Sequence, residues 1–185
     1  MWRILQFHQQ DVFFSYTPTP TALSVSHWFN YPDYKNYYGP SSVCHIFRFI
    51  QLIKKHTANK KPVVLYCDRF DLQRANTVFL LCAFMVVEMG LVAEEAVARV
   101  HPVLATVPSY RTEGAFFPED YCELSDCVKA LQKALSLGWF HQIYRGGRID
   151  GQRLTHMEEL EDPANGDISW IIPNRLIALA GPLKH

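Results

Sequence analysis

The sequence predicts a mixed α/β domain, and three observations carry that expectation. First, 185 residues that are 49% apolar and 14% aromatic supply enough material for one compact domain with a core and little room for a second. Second, Val63-Val64-Leu65-Tyr66-Cys67 is a continuous apolar run of strand length, of the kind a strand covered on both faces carries. Third, from about Gln73 to Met89 the chain is apolar nearly all round, which describes a buried helix that Gly90 can close.

The other elements follow in chain order. Residues 12–16 and 23–29 are β-branched and aromatic, with the proline-rich segment between them acting as a turn, so two short strands are expected. After Gly39-Pro40, Ser41 and Ser42 can cap a helix whose apolar face is Val43, Ile46, Phe47, Ile50 and Ile53. Lys54, Lys55 and His56 suit the C-terminal end of its dipole. Two more helices are expected at about 93–101 and 120–137, the latter closed by Gly138, so that helices would cover the sheet on both faces. Beyond residue 145 the periodicity fades into a glycine-containing loop and the acids Glu158, Glu159, Glu161 and Asp162, which read as a linker. The strand-like segments 168–173 and 175–180 come after it.

Composition excludes several function classes. Eighteen acidic residues balance eighteen basic ones, so nothing marks a basic nucleic-acid-binding surface. The five cysteines are odd in number and lie mostly in apolar runs, which favours a reduced, intracellular protein over a disulfide framework. The first ten residues lack a secretory pattern, and the longest apolar run, Val78 to Val87, is too short for a membrane span and stops at Glu88. No membrane partner and no cofactor are expected.

The strand, loop and helix around Cys67 invite comparison with a cysteine-phosphatase loop, in which a thiolate ends a buried strand and helix-terminal amides hold phosphate. That chemistry also needs an arginine returned onto the phosphate as a bidentate clamp, with five residues between it and the cysteine. Here the sixth residue after Cys67 is Gln73, and Arg74 comes one later. The loop between them has no glycine and carries Asp68 and Asp71, which would repel a phosphate dianion. Cys67 therefore reads as a buried core thiol.

No other cysteine has an arginine at the required spacing. Cys122 and Cys127 are separated by four residues on a stretch expected to be helical. That would put them on different faces, so they too read as core thiols rather than metal ligands. The acids at 158–162 read by composition as a solvated linker, with binding of a basic partner segment as the alternative.

Several short motifs point further. Gln73-Arg74-Ala75-Asn76-Thr77-Val78-Phe79-Leu80, Tyr37-Tyr38-Gly39-Pro40, Glu94-Glu95-Ala96 and Leu124-Ser125-Asp126-Cys127 are followed by Leu137-Gly138-Trp139-Phe140. The segment from Asn165-Gly166-Asp167 through Trp170-Ile171-Ile172-Pro173 to Gly181-Pro182 completes the set. In order and approximate spacing these resemble the N-terminal domain of the cell-division-cycle-fourteen type dual-specificity protein phosphatases, enzymes that reverse proline-directed phosphorylation at mitotic exit. The resemblance runs from about residue 12 to residue 182.

The resemblance implies an α/β, phosphatase-like (dual-specificity/protein tyrosine phosphatase) three-layer domain with a central sheet and a degenerate phosphate loop. It implies the division 1–150, N-terminal phosphatase-like domain; 151–167, acidic linker; 168–185, start of a catalytic domain that the chain does not contain. In the family only the second domain carries the His-Cys-x-x-Gly-x-x-Arg loop, so the implied role is a non-catalytic substrate-recognition or scaffold half. The alternatives are a residually active enzyme using Cys67 and Arg74, or a fragment of a full-length active phosphatase. No catalytic residue and no metal site are expected.

The family's linker contributes an acidic groove for the basic residue that follows a phosphoserine-proline. Counted back from Gly166-Asp167, Glu158 falls on the groove glutamate and Glu161 also matches an acid. The implied partners are therefore a phosphatase catalytic domain, in cis or in trans, and phosphoserine-proline peptides followed by Lys or Arg. The implied location is the nucleus and cytoplasm.

Overall fold

The computed structural model describes residues 2–7, 10–15, 22–24, 39–58, 63–67, 71–111, 117, 121–172, 175–179 and 181. They fall into two compact units, Met1–Trp139 and Phe140–His185.

In the first unit, β1 (Trp2–Phe7), β2 (Gln10–Ser15), β3 (Ala22–Ser24) and β4 (Val63–Tyr66) form a sheet in the order β1-β2-β4-β3. β1 runs antiparallel to β2, whereas β4 is parallel to both β2 and β3. β4 is therefore an interior strand, as its composition required. Its two faces differ, however: Val63 and Leu65 are buried and Val64 and Tyr66 only half-buried. The register puts Val12 opposite Val63 and Phe14 opposite Leu65, so these four residues make one apolar face. The continuous apolar run had implied cover on both faces, which the half-exposed second face does not show. Strand β1 had no counterpart in the sequence reading, and residues 16–21 and 25–29 lie outside the described residues.

Helix α1 (Val43–Thr57) begins where the serines suggested. Ser42 is in extended geometry and its hydroxyl accepts the His45 amide at 3.3 Å. Lys54, Lys55 and His56 fill its last turn.

Helix α2 (Asp71–Met89) is the centre of the unit: every residue from Ala75 to Val87 is buried, and α2 packs against α1, α3 (Ala93–Arg99) and α5 (Leu124–Ser136). Three helices around a fourth explain why its sequence is apolar on all sides. Lys54 of α1 reaches Glu88 of α2 at 2.8 Å, with the Glu88 side chain almost wholly buried. Cys82 points its thiol at the Ala96 carbonyl, 3.7 Å away, and burial pushes its pKa up to about 12.

The expected helix at 93–101 divides into α3 and the short α4 (His101–Leu104), because Pro102 lacks the amide that would continue the α3 ladder. The helix expected from 120 starts at Leu124 instead. Tyr121–Cys122 form strand β6, paired antiparallel with β5 (Tyr110–Arg111), and Arg111 lies over the Tyr121 ring at 4.8 Å.

In the second unit, β7 (Tyr144–Arg145) and β8 (Arg148–Ile149) form a two-residue hairpin. Its turn residues Gly146 and Gly147 have φ of 55° and 76°, the left-handed pair that such a turn requires. The segment read as a structureless loop is thus a hairpin, and the acidic segment after it is helical: α6 spans Gly151–Glu161. Asp150 caps α6 by accepting the amides of Gln152 and Arg153, both at 3.1 Å. A 3-10 turn, Pro163–Asn165, leads to β9 (Ser169–Ile172) and β10 (Leu176–Ala178), an antiparallel pair. Among the described residues no helix is long and apolar enough to cross a membrane.

Candidate functional site

Cys67 directly follows strand β4, in a state unsuited to a nucleophile. The side chain is fully buried, and its amide donates to the Ser15 carbonyl at 3.3 Å, extending the β2–β4 pairing. A nucleophilic thiolate needs partial exposure and a positive neighbourhood. Residues 68–70 lie outside the described residues.

Arg74 enters α2 with its guanidinium turned to another purpose: Nη1 donates to the Thr106 carbonyl at 2.6 Å, fastening α2 to the chain just beyond α4. Two residues on, Asn76 is a buried polar node. Its Oδ1 accepts the Ser41 amide at 2.8 Å and the Tyr110 hydroxyl at 3.2 Å, while Nδ2 donates to the Gly39 carbonyl at 3.3 Å. The Arg-Ala-Asn motif thus ties the start of α1, strand β5 and the end of α4 to α2. Its side chains hold the fold; the spacing from Cys67 argued against anion binding, but the partners that Arg74 and Asn76 find instead are not written in the sequence pattern.

Glu158 and Glu161 lie on one stripe of α6. Counted along the helix, Leu154, Met157, Glu158 and Glu161 are at positions i, i+3, i+4 and i+7; Leu154 is buried and the other three are half-buried. Glu159 and Asp162 are exposed, and Glu159 faces His156 at 3.7 Å. Periodicity therefore separates two of the four acids from a simple solvated run.

The Asn165-Gly166-Asp167 motif fixes the end of this helix. Asn165 Nδ2 donates to the Glu159 carbonyl at 2.7 Å, and the Ile168 amide donates to the Leu160 carbonyl at 2.7 Å. Two carbonyls orphaned at the end of α6 are thereby satisfied. Gly166, at φ 101°, allows the reversal. The same unit has an open cleft of ≈ 670 Å³ beside the hairpin, where Arg145, Arg148 and His141 gather. Arg153 lies there too, paired with Asp150 at 3.4 Å. The sequence pattern alone did not bring these side chains together, because the hairpin that gathers them was not recognised in it.

Cys122 and Cys127 are not core thiols on opposite faces. Cys122 is exposed, Cys127 is half-buried, and their sulfurs are 3.5 Å apart. Cys122 sits in β6, outside the helix, so helical spacing does not govern the pair, and the turn into α5 brings the two sulfurs together. Among the described residues no group of three or more His, Cys, Asp or Glu side chains could hold a metal ion.

The family described as dual specificity protein phosphatase, N-terminal half, matches residues 3–134. The chain belongs to this family. Its similarity extends further, to dual specificity protein phosphatase CDC14B of Mus musculus, 28% identical over 174 residues that cover 88% of this chain and 34% of that protein. The tyrosine-protein phosphatase CDC14 homolog of Schizosaccharomyces pombe is 26% identical, covering 98% of this chain and 35% of its own length. The tyrosine-protein phosphatase cdc-14 of Caenorhabditis elegans is 24% identical over 86% of this chain and 23% of its own length. The chain spans about a third or less of these curated relatives.

Proposed function

We propose that this chain is a non-catalytic, substrate-recognition half of a dual specificity protein phosphatase, working within the nucleus and cytoplasm on proline-directed phosphosites in cell-cycle control. The domain it serves is a phosphatase catalytic domain, joined in cis or docked in trans. In this reading residues 1–150 are a phosphatase-like domain with a degenerate phosphate loop, 151–167 an acidic connecting segment and 168–185 the start of the catalytic domain.

The observation that carries the reading is the family match to an N-terminal half together with the state of the two residues that would have to catalyse. Cys67 is buried in the strand pairing and Arg74 is engaged by the Thr106 carbonyl. Residual catalysis would require both to leave these positions.

Recognition is assigned to Glu158, helped by Glu161. Both are half-buried on one stripe of α6, whose end is held by Asn165 and Ile168. A carboxylate pair on a capped helix presents a fixed negative surface to the Lys or Arg that follows a phosphoserine-proline. A partly exposed pair of this kind contributes about 1 kcal/mol, and salt weakens it.

The test joins this chain to a relative's catalytic domain and compares the fusion with its Glu158→Ala variant on phosphopeptides differing only at the basic position. The expected outcome is a preference for Lys or Arg over Ala that falls by roughly fivefold in the variant, the factor that 1 kcal/mol represents. A variant with the parent's preference would assign Glu158 to the helix surface alone.

A further inference from the structure

We propose that Cys122 and Cys127 form a reversible dithiol–disulfide pair, a modification site at the junction of β6 and α5 that is independent of any phosphatase chemistry. The sulfurs, at 3.5 Å, are about 1.5 Å short of a covalent bond.

Both ends of the pair are held in place. Cys122 stands opposite Tyr110 in the β5–β6 ladder, and Tyr110 is anchored by its hydroxyl to buried Asn76. Cys127 lies in the first turn of α5, whose start is fixed by a capping box between Glu123 and Asp126, with Glu123 also accepting the Ser109 hydroxyl at 2.6 Å. The other three cysteines are buried, so the chain exposes thiol chemistry at this junction while protecting it elsewhere.

The two thiols have different roles. Burial, reinforced by the Cys122 contact, pushes the Cys127 pKa up to about 12, so Cys127 stays a thiol at neutral pH, and exposed Cys122 meets the oxidant.

With a peroxide as oxidant, Cys122 sulfur attacks one peroxide oxygen, the O–O bond breaks, and Cys122 becomes a sulfenic acid with release of water. Cys127 sulfur then attacks the sulfenic sulfur; the S–O bond breaks, hydroxide takes up the Cys127 proton as a second water, and the disulfide remains. Two thiols lose two electrons to one peroxide. A small-molecule dithiol restores the starting state by exchange.

The experiment treats the folded chain with hydrogen peroxide, blocks remaining thiols with an alkylating reagent after denaturation, and analyses the peptide between Arg111 and Lys129 by mass spectrometry. The expected result is that most of this peptide loses two hydrogens and escapes alkylation. Cleavage after Glu123 should leave its two pieces joined, and dithiothreitol should reverse the change, while Cys44, Cys67 and Cys82 remain fully alkylated. In Cys127→Ser, Cys122 should instead accumulate as a sulfenic acid that a dimedone-type reagent traps. The inference is overturned if both cysteines stay alkylatable in the peroxide-treated wild type, or if Cys122 pairs only with a second chain.

Discussion

The two units of this chain differ in how much of their apolar sequence they gather into a core. In the first, the sequence from Ala75 to Val87 disappears completely, enclosed by α1, α3 and α5, and even its polar members Asn76 and Thr77 are buried. In the second, α6 buries Leu154, but the β9–β10 pair leaves Trp170, Leu176, Ile177 and Leu179 between about two-fifths and three-fifths exposed. The first unit gathers most of its apolar residues into a core, with Val92, Phe117, Leu137 and Trp139 exposed outside it, whereas the second presents large apolar side chains on and beside a narrow two-stranded ribbon. Such ribbons are marginal without a third strand or a covering helix. In the first unit a buried polar network ties the elements around the core together, while in the second the end of α6 is satisfied and Trp170, Leu176 and Ile177 of the ribbon stay exposed.

The comparison breaks most severely at Asn76. Asn76→Ala leaves the Ser41 amide, the Tyr110 hydroxyl and the Gly39 carbonyl without their partner, and a buried group left unsatisfied costs about 1–3 kcal/mol. We expect a loss of roughly 3 kcal/mol in urea unfolding of the first unit, against about 1 kcal/mol or less for Asn165→Ala, whose side-chain bond is exposed. Equal losses would mean that the first unit does not depend on its polar node.

A smaller effect is expected at Arg74. Arg74→Met removes the bond to the Thr106 carbonyl while keeping the apolar stem, so stability should fall by about 1 kcal/mol. Hydrolysis of p-nitrophenyl phosphate by the chain should be at background both before and after the change. Turnover that disappears in Arg74→Met and in Cys67→Ser would return these residues to catalysis.

The smallest change in folding free energy, though an easily measured change in behaviour, should come from deleting the residues after 167. Unfolding of the first unit should be unaltered, and self-association in sedimentation should decrease because exposed Trp170, Leu176, Ile177 and Leu179 are gone. Unchanged association would show that these side chains are already covered in solution.

Much of the first unit was legible in the sequence because its signals are local. Ser42 as a cap, basic residues in the last turn of α1, the all-apolar α2 and the glycines after α2 and α5 each act through their own backbone or their immediate neighbours. The missing Cys-to-Arg spacing around Cys67 was equally visible, since it is a count along the chain. The sequence did not determine which partner each polar group would find. Arg74 meets a carbonyl 32 positions away, Asn76 joins residues from 37 positions before it to 34 after it, and Cys122 meets Cys127 only because the chain changes from strand to helix between them. Glu158 and Glu161 were separated from their acidic neighbours only once α6 existed to give them a common stripe. Periodicity and capping are short-range properties that a sequence carries in itself, whereas a long-range hydrogen bond or a thiol contact exists only when packing has brought its two ends together.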